Sequence, residues 1–271
     1  MSRDKIKEHY AKEVEKDRLE LELFKLEGIR TKQIISRFLT AKSMNIADIG
    51  GGAGYYAFWL QAMGHSVTMI DLAPKNIELA NEYSRKTGIQ LTKCQAGDAT
   101  SLDLPDDQFD LVLLLGPLYH LINKEERVKA LSEAKRIAKP GGYILSAVIS
   151  RYASLFDGFN RNLIVDNRFQ KLLLDDLDTG IHVNEPDHSE YFTTAYFHTP
   201  AEIKEEVTES GLQLDKLIAV ESFGWIIDGF SEKSQNESFM KLLHQLISKV
   251  ETNDDLIAMS PHIIAVAKRS V

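Results

Sequence analysis

Four glycines, Gly50, Gly51, Gly52 and Gly54, stand between a short apolar run and a helix-like segment that begins near Tyr55. A strand, a glycine loop and a helix start bring bare backbone N–H groups and the positive end of a helix dipole to one place. Glycine suits such a loop because it allows close approach and positive φ angles that a Cβ would oppose. We therefore predict an anion-binding loop here.

The spacing of the glycines separates two classes of nucleotide cofactor. A dinucleotide fingerprint, G-x-G-x-x-G/A, needs a third small residue where this chain has Tyr55. The chain has instead Asp48-x-Gly50-x-Gly52-x-Gly54, which resembles the first motif, E/D-x-G-x-G-x-G, of the class I, Rossmann-like S-adenosylmethionine-dependent methyltransferases. The resemblance implies that Asp48 faces the ammonium of S-adenosyl-L-methionine while loop and helix N–H groups meet its carboxylate.

Two further stretches carry the resemblance. Asp71 ends "VTMID", 21 residues beyond Gly50, where the family places a carboxylate that accepts from both ribose hydroxyls. Enzymes that use NAD share this feature, so Asp71 discriminates little between the two classes. Leu72 would lie against the adenine. In "AGDATSL", Asp98 and the backbone N–H of Ala99 match the family's contacts to adenine.

The stretch "FDLVLLLGPLYHL" resembles the family's fourth motif, in which a strand ends beneath the sulfonium, here at Leu115 and Gly116. Enzymes that methylate nucleobase or amide nitrogens have a D/N-P-P-Y/F motif here, whose first side chain accepts a hydrogen bond from the NH2 group. This chain has Gly116 at that position, without a side-chain acceptor, so methylation of nucleobases and of glutamine amides is disfavoured. His120 is a candidate general base or orienting group, or it is hydrogen-bonded into the next helix. Tyr119 either shapes the pocket and contacts the sulfonium or packs in the core.

Four residues outside these motifs are candidates for closing the site. The resemblance implies that Tyr10, near the N-terminus, lies over the cofactor as a lid. Arg18 would either pair with a substrate carboxylate or remain on a solvated helix. Phe223 and Trp225, in the aromatic loop "ESFGWIIDGF", are either pocket walls or core residues.

From residue 45 onward, short apolar runs alternate with amphipathic helices, which is typical of βαβ units. We predict an α/β fold, a doubly wound, seven-stranded, mostly parallel sheet, with a helical N-terminal arm and an inserted cap. The strands are predicted at 46–49, 66–71, 90–95, 109–115, 143–149, 214–220 and in "HIIAVAKR". The predicted domains are the arm 1–42, the cofactor-binding core 43–150 and 199–271, and the substrate cap 151–198.

Composition limits the partners. The net charge of −8 and pI near 5.5 disfavour DNA, which needs a basic face. A single cysteine excludes a disulfide framework within the chain. His182, His188 and His198 lack the spacing of a helical ligand pair, so no metal is predicted. With no long apolar run, we expect a soluble, cytoplasmic protein without membrane contact; a monomer and a homodimer both remain open.

These observations predict a methyltransferase that uses S-adenosyl-L-methionine to methylate an O, N or C nucleophile of a small molecule. Methyl transfer is an in-line displacement, so alignment of the reactants is most of what the protein must supply. Protein or RNA methylation, and a non-catalytic scaffold that binds the same cofactor, remain as alternatives. A nicotinamide-dependent dehydrogenase is disfavoured by the tyrosine that follows the glycine loop.

Overall fold

The computed structural model describes residues 22–184, 188 and 191–270. Within this part of the chain nine strands form one sheet. The strands are β1 (Asn45–Ile49), β2 (Ser66–Asp71), β3 (Lys93–Ala96), β4 (Phe109–Leu114), β5 (Ala138–Ser150), β6 (Ile181–His182), β7 (Ala195–His198), β8 (Gln213–Ala219) and β9 (His262–Lys268).

The strand order confirms the predicted doubly wound sheet. Strands β3, β2, β1, β4 and β5 are parallel neighbours in that order, β9 pairs antiparallel with β5, and β8 pairs antiparallel with β9. These seven strands are the predicted core, with β9 running against the others. The order reverses between β1 and β4, and ligands bind such sheets at this switch point, beyond the carboxyl ends of the strands.

Helices connect the strands on both faces. They are α1 (Glu22–Ser36), α2 (Tyr55–Ala62), α3 (Pro74–Thr87), α4 (Pro117–His120), α5 (Lys124–Ile137), α6 (Ala153–Asn160), α7 (Asn167–Thr179), α8 (Pro200–Glu209), α9 (Phe230–Lys233) and α10 (Glu237–Val250). As the sequence predicts, Pro74 starts α3 and Gly88, at φ 74°, ends it. No helix of the described residues is long and apolar enough to cross a membrane.

Two strands begin three or more residues away from their predicted starts, while the other core strands agree to within one residue at each end. β3 begins at Lys93 instead of residue 90, where its pairing with Thr68 of β2 starts. β5 begins at Ala138, five residues before the predicted start, because the chain passes from α5 directly into pairing with Phe109. The register then shifts before Leu111, and the intervening residues form an irregular stretch within β5. Neither change alters the order of the core strands.

Each face of the sheet buries its own apolar layer. One layer includes Leu131 of α5 and Val207 of α8. The other includes Ile34 and Ile35 of α1 with Leu60 of α2. Full burial of one such aliphatic side chain contributes about 1.5–3 kcal/mol. The second half of the predicted arm is therefore anchored to the sheet, at the face that carries α2.

A buried ion-pair network joins α5 to α8. Arg127 Nη2 lies 2.7 Å from Glu206 Oε1, and both side chains are almost fully buried. His198 Nε2 lies 3.2 Å from the other carboxylate oxygen of Glu206, and the guanidinium of Arg127 stacks over the ring of Tyr196. A buried carboxylate of this kind needs its partners, because loss of one leaves an uncompensated charge.

The segment 151–198 is tied to the sheet instead of standing apart from it. Phe197 of β7 pairs in parallel register with Ile149 of β5. Helix α7 packs Phe169 and Leu172 with Tyr191 in a small apolar cluster of the segment's own. The segment thus has a core of its own and is continuous with the sheet through β7.

Candidate functional site

A cavity of about 440 Å³ opens beyond the carboxyl ends of β1, β2 and β4. It lies at the switch point of the sheet, where the fold favours ligand binding. The residues predicted for the cofactor and the reaction line it together: Asp48, Gly50, Gly51, Gly52, Gly54, Asp71, Leu72, Asp98, Ala99, Leu115, Gly116, Tyr119 and His120.

The glycines are required mainly by neighbouring protein atoms. A Cβ on Gly50 would lie 2.6 Å from the ring of Pro117, and one on Gly54 would lie 2.7 Å from the ring of Phe58. Gly52, at φ 58°, is the loop glycine whose Cβ would meet nothing within 4 Å. The sequence argument assigned all four glycines to a ligand. The structure corrects this: close packing against the chain itself explains Gly50 and Gly54.

The loop amides are also engaged within the protein. Gly50 N–H donates to Ile70 O at 2.7 Å, and Gly52 N–H donates to Asp71 Oδ2 at 2.8 Å. Gly54 N–H donates to Gly51 O at 2.9 Å. We therefore expect the ligand carboxylate to meet the N–H groups in the first turn of α2 instead of those of the loop. Gly54, in a left-handed conformation, caps this helix.

Asp48 is the most perturbed carboxylate of the cavity. It is 1% exposed, and burial, with the nearby charge of Asp71, raises its pKa to about 7. A backbone N–H of α2, that of Ala57, opposes this rise. Within the described residues, no hydrogen bond reaches Oδ2 of Asp48. Asp48 is one of the residues that line the cavity, and a carboxylate at this position fits a cationic ligand group such as an ammonium.

Asp71 and Asp98 face the same cavity, as the predicted cofactor site requires. Asp71 Oδ1 accepts from Ala73 N at 2.8 Å and from Asn76 Nδ2 at 3.0 Å, so this carboxylate also fixes the end of β2 and the start of α3. Asp98 Oδ1 accepts from the backbone N of Thr100 at 2.9 Å.

Tyr119 and His120 end the short helix α4, directly after the exit of β4. Their rings lie 4.6 Å apart in an edge-on arrangement. Tyr119 also packs with Ile149 and Phe197, so the segment 151–198 supports it from behind. Both residues line the cavity, while their chemical roles stay predictions.

The residues predicted to close the site are placed differently. Phe223 packs with Leu26 in a cluster formed by α1 and α10, and Trp225 Nε1 donates to Met259 O at 2.9 Å. Neither is among the described residues that line the cavity, nor is any from 151–198. The geometry gives no support to those assignments, because these side chains are used in packing. Tyr10 and Arg18 lie outside the described residues.

Several lining residues were missed in the sequence. Glu27, Thr31 and Lys32 of α1 and His262 of β9 all face the cavity. Lys32 Nζ lies 4.0 Å from the ring centre of Tyr55. No motif marks these positions. The available signal was the helical spacing of α1, in which positions 27 and 31 share a face with the apolar positions 34 and 35.

His262 belongs to a cluster of ionisable groups. Its Nδ1 lies 2.6 Å from Glu221 Oε1 and 4.0 Å from Glu27 Oε2. Within the described part of the chain this is the group whose potential metal-ligand atoms all lie within 4.8 Å of one another. Sequence reasoning considered other histidines: His182 contacts Asp176 and His198 contacts Glu206, both within buried pairs.

Fold and site together define a Rossmann-like protein with a cavity at the end of β1. Residues 47–146 match the methyltransferase domain family. Over these residues the chain is similar to that family, and its fold is that of the class I S-adenosylmethionine-dependent methyltransferases. Family and fold imply S-adenosyl-L-methionine as the cofactor, and the carboxylates at 48, 71 and 98 fit it.

Relatives agree with this assignment. A ubiquinone biosynthesis O-methyltransferase of Chromobacterium violaceum is 29% identical over 123 residues, covering 45% of this chain and 51% of the relative. Its counterpart from Methylocella silvestris is 31% identical, covering 49% of this chain and 50% of the relative. The chain thus spans about half the length of these curated relatives.

Solved structures agree over a larger part of the chain. A S-adenosylmethionine-dependent methyltransferase from Methanosarcina mazei has a TM-score of 0.59 at 20% identity, covering 88% of this chain and 97% of that one. A [4+2]-cyclase has a TM-score of 0.55 at 15% identity, covering 90% and 81%. At such identities the likeness shows the fold, and the activity has to be argued from the site.

Proposed function

We propose that this protein is a methyltransferase that uses S-adenosyl-L-methionine to methylate an O, N or C nucleophile of a small molecule. The observation that carries the proposal is the cavity that Asp48, Asp71 and Asp98 line together at the switch point of the sheet. An ammonium group would balance the charge of Asp48, and the adenosine end of the same ligand would reach the other two carboxylates.

Different residues of the chain would bind different parts of the cofactor. Asp48 would hold the ammonium, Asp71 the ribose hydroxyls and Asp98 the adenine amine, while Leu115 and Gly116 border the reacting end. When bound, the cofactor supplies an electrophilic methyl group on a sulfonium. Because a displacement of this kind depends on alignment, the packing of Gly50 against Pro117 matters: it fixes the loop relative to the exit of β4.

A small-molecule acceptor fits the cavity better than a macromolecule. Helix α1 contributes Glu27, Thr31 and Lys32 to its wall, and the cavity volume of about 440 Å³ suits a small molecule. The net charge of −8 opposes binding to nucleic acid. The relatives named as ubiquinone biosynthesis O-methyltransferases support a small molecule and favour an oxygen acceptor.

Calorimetry with S-adenosyl-L-methionine tests the cofactor assignment. We expect Asp71→Ala to weaken binding by about 1–3 kcal/mol, the cost of leaving hydroxyl partners unsatisfied. Asp71 also anchors Gly52 N–H, so Asp98→Ala, which leaves that anchor in place, should weaken binding comparably without loosening the loop. Asp103→Asn, at an exposed position, is the matched control. Absence of binding to the unaltered protein would refute the proposal.

Turnover is tested with isotopically labelled methyl donor and two probes, catechol for oxygen acceptors and tryptamine for nitrogen acceptors. We expect S-adenosylhomocysteine to form together with one methylated probe. Binding of the cofactor with no transfer to either probe would reject both acceptor chemistries for these molecules. Equal transfer to a protein or RNA fraction would overturn the small-molecule assignment.

A further inference from the structure

A histidine–carboxylate pair forms part of the cavity wall on β9. His262 lines the cavity together with Ile264, which lies two residues along the same strand and so on the same face. Its Nδ1 lies 2.6 Å from Oε1 of Glu221. A carboxylate accepts hydrogen bonds, so Nδ1 is the donor, and Nε2 is the basic nitrogen of the neutral ring.

Glu221 is itself held by the surrounding chain. It is 4% exposed, and its Oε2 accepts from Ser260 Oγ at 2.9 Å and from the backbone N of His262 at 3.2 Å. Ser260 Oγ in turn accepts the backbone N–H groups of Glu221 and Ser222. Ser222 has a φ of 52°, in the left-handed region that few non-glycine residues adopt. This turn therefore fixes the carboxylate, and the carboxylate fixes the imidazole.

The sheet register places His262 on the acceptor side of the cavity. Leu115 after β4, Ala147 of β5 and Ile264 of β9 all line it. Ala147 pairs with Ile264. His262 pairs with Ile149, which lies two residues nearer the carboxyl end of β5 than Ala147 does. Two strand spacings, about 10 Å, separate β4 from β9. That distance leaves room for a small acceptor between the exit of β4 and the imidazole.

Charged groups of helix α1 face this pair. Glu27 places Oε2 4.0 Å from His262 Nδ1, and Arg30 acts on Glu221 through its charge. Lys32 lines the cavity five residues beyond Glu27. Two carboxylates beside one imidazole stabilise the imidazolium that forms when the ring takes up a proton.

We propose that His262, positioned by Glu221, is the general base for the acceptor and that the acceptor is therefore an O–H or N–H group that loses a proton. This rests on the proposed methyltransferase function. The acceptor lone pair forms the bond to the methyl carbon, the methyl–sulfur bond breaks with its electron pair remaining on sulfur, and the acceptor's proton passes to Nε2 of His262. His120, whose ring packs against Tyr119, is then an orienting residue.

The same cluster has the composition of a metal site, and the hydrogen bonds of Glu221 favour the general base instead. A metal would need lone pairs from Glu27, Glu221 and His262 at once. Glu221 already accepts from Ser260, from the backbone of His262 and from its imidazole. The carboxylate is thus engaged in orienting the ring.

The first test needs no acceptor. Nitrogen NMR of the full chain with S-adenosylhomocysteine bound, and with His262→Gln used for assignment, reports which ring nitrogen carries the hydrogen. We expect the Nδ1–H tautomer at His262. The Nε2–H tautomer would overturn the proposal whatever the acceptor is.

The second test uses methyl transfer from S-adenosyl-L-methionine to catechol. His262→Gln should lower kcat by about 10²–10⁴-fold and remove the fall in rate on acidification, while the Kd for S-adenosyl-L-methionine stays within about twofold because His262 lies on the acceptor side. Glu221→Gln keeps an acceptor oxygen without the charge and should lower kcat by roughly 10–100-fold. His244→Gln, which is not among the described lining residues, is the control.

The outcomes separate the two proposals. If His262→Gln binds the cofactor and keeps an unchanged kcat, His262 is not the general base, and the methyltransferase function is unaffected. Failure of the unaltered protein to bind S-adenosyl-L-methionine refutes the function and this proposal together. Stoichiometric binding of Zn²⁺ or Mg²⁺ alone, abolished by His262→Gln, would make the cluster a metal centre and overturn the base. If catechol is not methylated, the tautomer measurement decides.

Discussion

The substitution Asp48→Asn tests the central electrostatic feature of the site. Burial raises the pKa of Asp48 from 3.8 to about 7, so the folded protein binds this proton more tightly than the unfolded chain does. The stability that this proton contributes is fully present below pH 3.8, the pKa of the unfolded chain, and is lost as the pH rises to 7, the pKa of the folded protein. At about 1.4 kcal/mol per pKa unit, the loss amounts to as much as about 4 kcal/mol.

Asparagine keeps the size of the side chain and its acceptor for the N–H of Ala57 but carries no charge. We expect Asp48→Asn to match the unaltered protein near pH 4 and to exceed its free energy of unfolding by up to about 4 kcal/mol above pH 7. Urea denaturation at several pH values, followed by tryptophan fluorescence without ligand, measures this difference. Asp103→Asn at the surface is the control. A difference between variant and parent that does not grow between pH 4 and pH 7 would refute the reasoning.

The same carboxylate links cofactor affinity to pH. An ammonium beside Asp48 favours the ionised form, so binding below pH 7 must first release the proton. We expect the affinity of the unaltered protein for S-adenosyl-L-methionine to fall by up to tenfold per pH unit below 7 and to level off above it. Asp48→Asn should bind weakly and lose this dependence in calorimetry across the same range.

Three further results are expected. Gly50→Ala should destabilise the fold by about 1–3 kcal/mol in urea denaturation, since position 50 has a positive φ and its Cβ would lie 2.6 Å from the ring of Pro117. Gly52→Ala, also at positive φ but with nothing within 4 Å of its Cβ, should cost less stability. Arg127→Met should lower the free energy of unfolding by about 3–5 kcal/mol, because it leaves the buried carboxylate of Glu206 without its cation. Adding Glu206→Leu to the same chain should restore part of that free energy. His120→Ala should lower turnover in the catechol assay while leaving the cofactor Kd unchanged.

Each of these has a contrary outcome. Equal stability losses at the two glycines would show that the contact with Pro117 contributes nothing to the loss at Gly50. A stable Arg127→Met variant would mean that the carboxylate relaxes into water or becomes protonated. Parallel loss of turnover and of cofactor binding in His120→Ala would assign that histidine a structural role.

The sequence alone determined the cofactor half of the site. Asp48, the glycine loop and the first turn of α2 are contiguous, so local strand, loop and helix chemistry fixes what they present. Asp71 and Asp98 follow from one further rule, that parallel strands bring their carboxyl ends to one edge. The doubly wound, mostly parallel sheet, too, was predicted from the alternation of short apolar runs and amphipathic helices, whereas the order of its strands was not.

Tertiary structure alone decided the acceptor half. Phe223 and Trp225, aromatic residues in a promising loop, are packed against Leu26 and Met259 instead of lining the cavity. His262, in an unremarkable final strand, reaches the cavity because β9 inserts beside β5. Such contacts join residues far apart in the chain. Sequence spacing does not predict them, because they depend on which side chains become neighbours when the sheet packs.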